Sequence, residues 1–140
     1  MEVPDYPQGG PNFYEAHLVA ADSTTGQGGI PLRRLDDVLR DEPRVVAFIK
    51  VDVEGHEWEL AQGARERLER DRPALFVEMS GPPRGEGASA QLVRYLAGLG
   101  YTACWLDGDV LKPVGPEDHP VDAFFLTAVH QARRALPASS

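Results

Sequence analysis

The apolar positions along the chain change their period several times, and each change marks an element. Leu35, Val38 and Leu39 fall at i, i+3 and i+4, with Asp36 and Asp37 early, where a helix dipole favours carboxylates. This spacing predicts a short amphipathic helix over Leu32–Asp41, stopped by Pro43. Val45–Val53 reads VVAFIKVDV, apolar on both faces for its first five residues, which predicts a strand buried on both sides in a parallel sheet. After Gly55, residues Leu60, Ala61, Ala64 and Leu68 recur at helical spacing. Glu57 and Glu59 stand in the first turn and several arginines towards the end, so one helix over His56–Arg72 is expected, closed by Pro73. Ala74–Met79 reads as a second short strand with Glu78 near its carboxyl end, followed by a Gly/Pro loop, Gly81–Gly87. Ser89 is placed to cap a helix whose face is Leu92, Val93, Leu96 and Leu99, and Gly100 is placed to end it in the left-handed region. Tyr101–Leu106 and Val121–Val129 read as the last two strands. The order helix, strand, helix, strand, helix, strand, strand predicts an α/β fold in which crossover helices force parallel pairing and the final strand can run antiparallel.

Three segments follow from the same reading. Residues 1–31 hold Pro and Gly at many positions and one strand-like patch, His17–Ala21, and cannot make a core alone; 32–130 carry the α/β pattern; 131–140 form a polar tail expected to fray. Gly 14 and Pro 12 in 140 residues exceed average usage without reaching low complexity. The net charge of -8 leaves no basic stripe for phosphates, which argues against nucleic acid and an anionic membrane surface as partners. No apolar run approaches the roughly 18 residues of a membrane helix, and no signal pattern opens the chain, so a cytoplasmic location is expected. The single cysteine, Cys104, cannot form an intrachain disulfide and reads as a buried strand residue.

Candidate chemistry gathers where the first strand gives way to a loop, the place where ligands bind open α/β sheets. Lys50 and Asp52 share one strand face, and Asp52, Glu54, His56 and Glu57 put four ionisable groups within six positions. Burying Asp52 without partners would be costly, so it is expected to face a cleft. Glu57 alone also fits a plain helix-start carboxylate, and His56 alone a surface or capping histidine. The carboxylates could hold magnesium or calcium, but the spacing matches no EF-hand loop and no His-x-x-x-His zinc pattern, so no metal is assigned. No Gly-x-Ser-x-Gly elbow supports a serine nucleophile.

The string Phe48-Ile-Lys-Val-Asp-Val-Glu-Gly-His-Glu57, preceded by Ile30–Leu39 and followed by Gly63-Ala64 and Arg72–Glu78, resembles the FkbM-type methyltransferases. The resemblance spans roughly Ile30–Ser80 and weakens onward to Val129. It implies a Rossmann-like class I fold, S-adenosylmethionine as the methyl donor, and a hydroxyl of a sugar, polyketide or other small metabolite as the acceptor. Such a fold begins with βα units carrying a glycine-rich cofactor loop, at about 30 residues per unit. No strand followed by Gly-x-Gly occurs before Val45, and Gly26–Gly29 follows a polar stretch and reads as a flexible loop. The resemblance therefore implies the carboxyl half of the domain, a mostly parallel sheet with a final antiparallel strand and flanking helices.

Within that frame His56 is the candidate general base, because imidazole ordinarily titrates near working pH. Asp52 and Glu54 are expected to orient the acceptor or a metal, Asp52 also to meet the cofactor, and Lys50, Glu57, Glu78 and Ser80 to line the substrate side of the cleft. The Val45–Val53 strand is expected to present an open apolar edge, to be covered by residues 1–29, by a second copy in a homodimer, or by a missing half from another polypeptide. The rival expectation is a catalytically inactive, truncated methyltransferase-like domain serving as a binding module, and a carboxylate-rich metal-binding module stands third.

Overall fold

The computed structural model describes residues 32–134. By contacts the chain divides into Met1–Arg33 and Arg34–Ser140, and the fold below is that of the second unit. The His17–Ala21 patch and the Gly26–Gly29 loop lie outside the described residues.

The elements run α1 (Leu35–Val38), β1 (Phe48–Val51), α2 (Glu57–Gly63), α3 (Arg65–Asp71), β2 (Ala74–Glu78), α4 (Ala88–Gly98), β3 (Tyr101–Asp107), β4 (Val110–Pro113), β5 (Asp122–Thr127) and α5 (Ala128–Arg134). The strands form one sheet in the order β1-β2-β5-β3-β4. β1 pairs parallel with β2 because α2 and α3 carry the chain back across the sheet between them. β5 then inserts between β2 and β3, antiparallel to both, and β3 and β4 form an antiparallel hairpin. The chain is thus α/β with a mixed sheet. The expectation of mostly parallel pairing is corrected: among the described ladders only β1/β2 is parallel.

Packing explains the element bounds. Val51, Leu75, Val77, Ala123 and Phe125 share one sheet face, in register across β1, β2 and β5, and bury against Ala61, Ala64, Leu68, Leu92 and Leu96 of α2, α3 and α4. Fully burying each larger aliphatic or aromatic side chain is worth roughly 1.5–3 kcal/mol, so this single face carries most of the apolar stabilisation. The other face holds Phe48, Lys50, Phe76 and Phe124, the last two with ring centroids 4.8 Å apart. β1 is consequently not buried on both faces as its sequence suggested: Phe48 is 55% exposed and Lys50 is exposed, and the strand covers only Phe48–Val51.

Four further expectations change. The single helix over His56–Arg72 breaks at Ala64, whose φ of -114 leaves the helical region, giving α2 and α3. The break lets Asp36 of α1 reach the start of α3, where its carboxylate accepts the N–H groups of Glu66 and Arg67 at 3.0 and 3.1 Å. From the first turn of its own helix, where the sequence placed it, Asp36 therefore also caps a neighbouring one. Gly87, not Ser89, occupies the N-cap of α4, and Ser89 is buried inside the helix with no partner for its hydroxyl among the described residues. β4 was not anticipated, although Gly108-Asp109 is a hairpin signal, with Gly108 supplying a positive φ of 59 at the first position of the two-residue loop. The last strand ends at Thr127, and α5 starts at Ala128, so Val129 and the beginning of the expected polar tail are helical. Cys104 is buried in β3, as expected. Gly100 takes the expected left-handed conformation after α4, with φ 83. Among the described residues no helix is long and apolar enough to cross a membrane.

Candidate functional site

The chain leaves β1 through a tight turn over Val53–His56, closed by the His56 N–H donating to the Val53 carbonyl at 3.2 Å. Both central residues have positive φ, 46 for Glu54 and 90 for Gly55. A carbon added at Gly55 would meet nothing within 4 Å, so glycine is needed there for its backbone conformation and not for space. Glu54 has no such freedom, and left-handed conformation in a non-glycine residue costs about 1 kcal/mol or more, a strain found disproportionately at functional sites.

Glu57, the first residue of α2, is fully buried. Its Oε1 accepts the N–H of Gly55 at 3.2 Å, the N–H of Ser80 at 3.2 Å and the Ser80 hydroxyl. One oxygen thereby joins the turn after β1 to the loop after β2. Its second oxygen, Oε2, is buried and has no hydrogen-bond partner among the described residues. Ser80 is exposed, but its hydroxyl hydrogen is committed to Glu57.

The remaining charged residues stand on the rim. Lys50 Nζ donates to Asp52 Oδ2 at 2.9 Å, both side chains half-exposed, and the Asp52 carboxylate raises the Lys50 pKa. Asp52 is thus ion-paired at the surface rather than enclosed by the described residues. Across the sheet, Glu78 lies opposite Asp122 in the β2/β5 ladder, a like-charge pair that strands ordinarily avoid. The Asp52 carboxylate, partial desolvation, and the Asp122 and Glu54 carboxylates together raise the Glu78 pKa, against the opposing Lys50 ammonium. The structure therefore gathers Lys50, Asp52, Glu54, Glu78 and Asp122 at one end of the sheet. His56 sits at the N-cap of α2, makes no capping bond, is partly exposed, and has Nδ1 3.8 Å from Glu59 Oε2. Among the described residues no group of three or more His, Cys, Asp or Glu side chains is arranged to hold a metal ion.

Next to this rim is an open groove of about 340 Å³ between two walls, Met79–Pro82 after β2 and His119–Val121 before β5. Neither Asp122 nor the His119–Val121 wall was singled out in the sequence. The signal for Asp122 is its place at the start of an apolar run, which only the antiparallel register turns into a neighbour of Glu78. His119 lies in a Pro-rich connection with no periodicity to read.

Comparison with known proteins identifies a family. No curated protein and no solved structure matches the chain. The family model of the methyltransferase FkbM domain matches residues 4–103, well over half of the sequence, beginning earlier than the Ile30 start read from the motifs and ending within β3. The matched segment holds the β1 strand, the Glu54-Gly55 turn, Glu57 and the Ser80 loop it grips. With the motif Phe48–Glu57 inside that match, the chain belongs to the FkbM methyltransferase domain family.

Proposed function

We propose that the chain acts in methyl transfer from S-adenosylmethionine to a hydroxyl oxygen of a small-molecule acceptor. The observation that carries this reading is the turn at the carboxyl end of β1, held in a strained left-handed conformation and tied by Glu57 to the loop after β2. Fixed backbone of this kind suits a reaction whose main demand is alignment.

The donor would supply an electrophilic methyl group on a cationic sulfur, and the acidic rim of Asp52, Glu54, Glu78 and Asp122 presents a negative field suited to a cation. Asp52, exposed at the end of β1, is the side chain proposed to accept hydrogen bonds from the donor, and with Glu54 to orient the acceptor. His56 takes the hydroxyl proton on its imidazole as general base, since nothing among its capping interactions occupies the ring fully. Lys50, Glu78 and Ser80 border the acceptor, and Glu57 positions the two loops without itself reaching the surface.

Two measurements test this. Calorimetric titration of the chain with S-adenosylmethionine, with and without magnesium, is expected to give micromolar binding; no heat in either buffer counts against the reading and favours an inactive binding module. With an acceptor in hand, His56→Ala is expected to lower turnover by roughly 10² or more while donor affinity stays nearly unchanged. An unaltered rate removes His56 from the mechanism. We further propose that the outer edge of β1, which pairs with no strand among the described residues, is completed by another chain or a second copy.

A further inference from the structure

The groove between Met79–Pro82 and His119–Val121 is prebuilt rather than incidental. The Met79 N–H donates to the Val121 carbonyl at 2.6 Å and fixes the two walls against each other at their base. Arg84 donates to the Pro116 carbonyl at 2.9 Å and ties the Gly81–Gly87 loop to the connection that carries His119. Within that connection Asp118 Oδ2 accepts the Gly115 N–H at 2.6 Å and closes a local turn. The walls are thus held to each other and to the segments that flank them by hydrogen bonds.

Three properties define what fits. The lining is mainly apolar, from Met79, Pro82, Pro120 and Val121, with Val121 66% exposed, and its polar side chains are Ser80 and His119. The volume of about 340 Å³ sits at the small end of ligand sites, enough for one ring system with its substituents. Carboxylates adjoin both walls: Glu78 directly precedes one, Asp122 directly follows the other, and the two face each other in register. An anionic ligand would be repelled at both walls.

We propose that this groove is the acceptor subsite and that it takes the apolar face of an uncharged hydroxylated ring, with the His119 imidazole hydrogen-bonding a polar substituent. The assignment rests on the methyl-transfer reading for the word acceptor, but the binding itself does not. Ser80 connects the two, because its N–H and the Gly55 N–H are each 3.2 Å from the same Glu57 oxygen, so the groove wall and the turn bearing His56 are fixed to one atom.

The test is an NMR titration of the isotope-labelled full chain, without methyl donor, using a pair of probes that differ in charge: para-hydroxybenzyl alcohol and para-hydroxybenzoate. The alcohol is expected to shift the Ser80, Gly81 and Val121 amides and to bind about fivefold or more tightly than the benzoate, with the gap narrowing as salt is added. His119→Ala is expected to weaken the alcohol about two- to tenfold, the range of one hydrogen bond, and the groove-filling Val121→Trp to abolish it. Both substituted residues are exposed, so neither change should unfold the chain. Equal affinity for the two probes, shifts confined to other surfaces, or no binding of the alcohol overturns the proposal. These outcomes leave methyl-donor binding untouched, whereas a groove that binds the alcohol in a chain that binds no donor overturns the methyl-transfer reading alone.

Discussion

Glu57 is the residue on which the site turns. A buried carboxylate with one oxygen bonded three times and the other unpartnered among the described residues carries a desolvation penalty that three hydrogen bonds only partly offset. Glu57→Ala would strand two backbone N–H groups and the Ser80 hydroxyl, and an expected loss of about 2–4 kcal/mol should be measurable by urea unfolding. Glu57→Gln keeps an acceptor for those donors and removes the buried charge, so stability within about 1 kcal/mol of the parent is expected. A glutamine variant as damaged as the alanine one would mean that the charge itself holds the loops. The sequence placed Glu57 correctly at a helix start, but as one rim carboxylate among several; that it turns inward while Asp52 and Glu54 stay outside depends on the loop after β2 arriving with free N–H groups.

At the scale of elements, α3 is docked by polar contacts as much as by Leu68. Arg67 is buried and donates to the carbonyls of Leu39, Glu42 at 2.9 Å and Arg44 at 3.4 Å, and to Asp71 at 3.4 Å. Asp71, its side chain 2% exposed, also accepts the Val46 N–H at 3.0 Å and so fixes the approach to β1. Hydrogen bonds from the Arg70 guanidinium, helped by the Val46 N–H and Arg67, hold the Asp71 pKa down at about 2. Because the folded value lies below the ordinary one of about 4, Asp71 stabilises the fold above that pH, and this contribution is lost as the pH falls from about 4 towards about 2. Asp71→Asn is expected to lower stability at neutral pH by about 2 kcal/mol and to flatten the acid limb of the unfolding curve over that window. An unchanged acid limb would place the acid sensitivity elsewhere. The arginines of this helix were legible as charges near a helix end, but the burial of Arg67 was not, since periodicity puts it next to the apolar Leu68 without showing that three chain carbonyls converge there.

For the whole molecule, the sheet order decides what is open. β4, at one edge, is short and carries Lys112 and Pro113, features that discourage strand addition. β1, at the other edge among the described residues, is equally short and carries exposed Lys50, but it has no proline and its Phe48 is exposed. Sedimentation of the purified chain at micromolar concentration is expected to show dimer or higher species; a monodisperse monomer would remove edge pairing as the way β1 is completed.

The sequence by itself determined the α/β class, the strand-to-helix junction at Glu54-Gly55 and the family, because apolar periodicity, a glycine needed for its backbone conformation and a contiguous motif are all local signals. It also located every described strand except β4. That the final strand runs antiparallel was legible too; only the tertiary structure decided its insertion between β2 and β3, the burial of Glu57, Asp36 and Arg67, and the joining of Met79–Pro82 to His119–Val121. Those outcomes depend on which N–H groups and carbonyls remain unpaired when distant segments meet, and such pairing is set by three-dimensional register, which residue spacing along the chain does not encode.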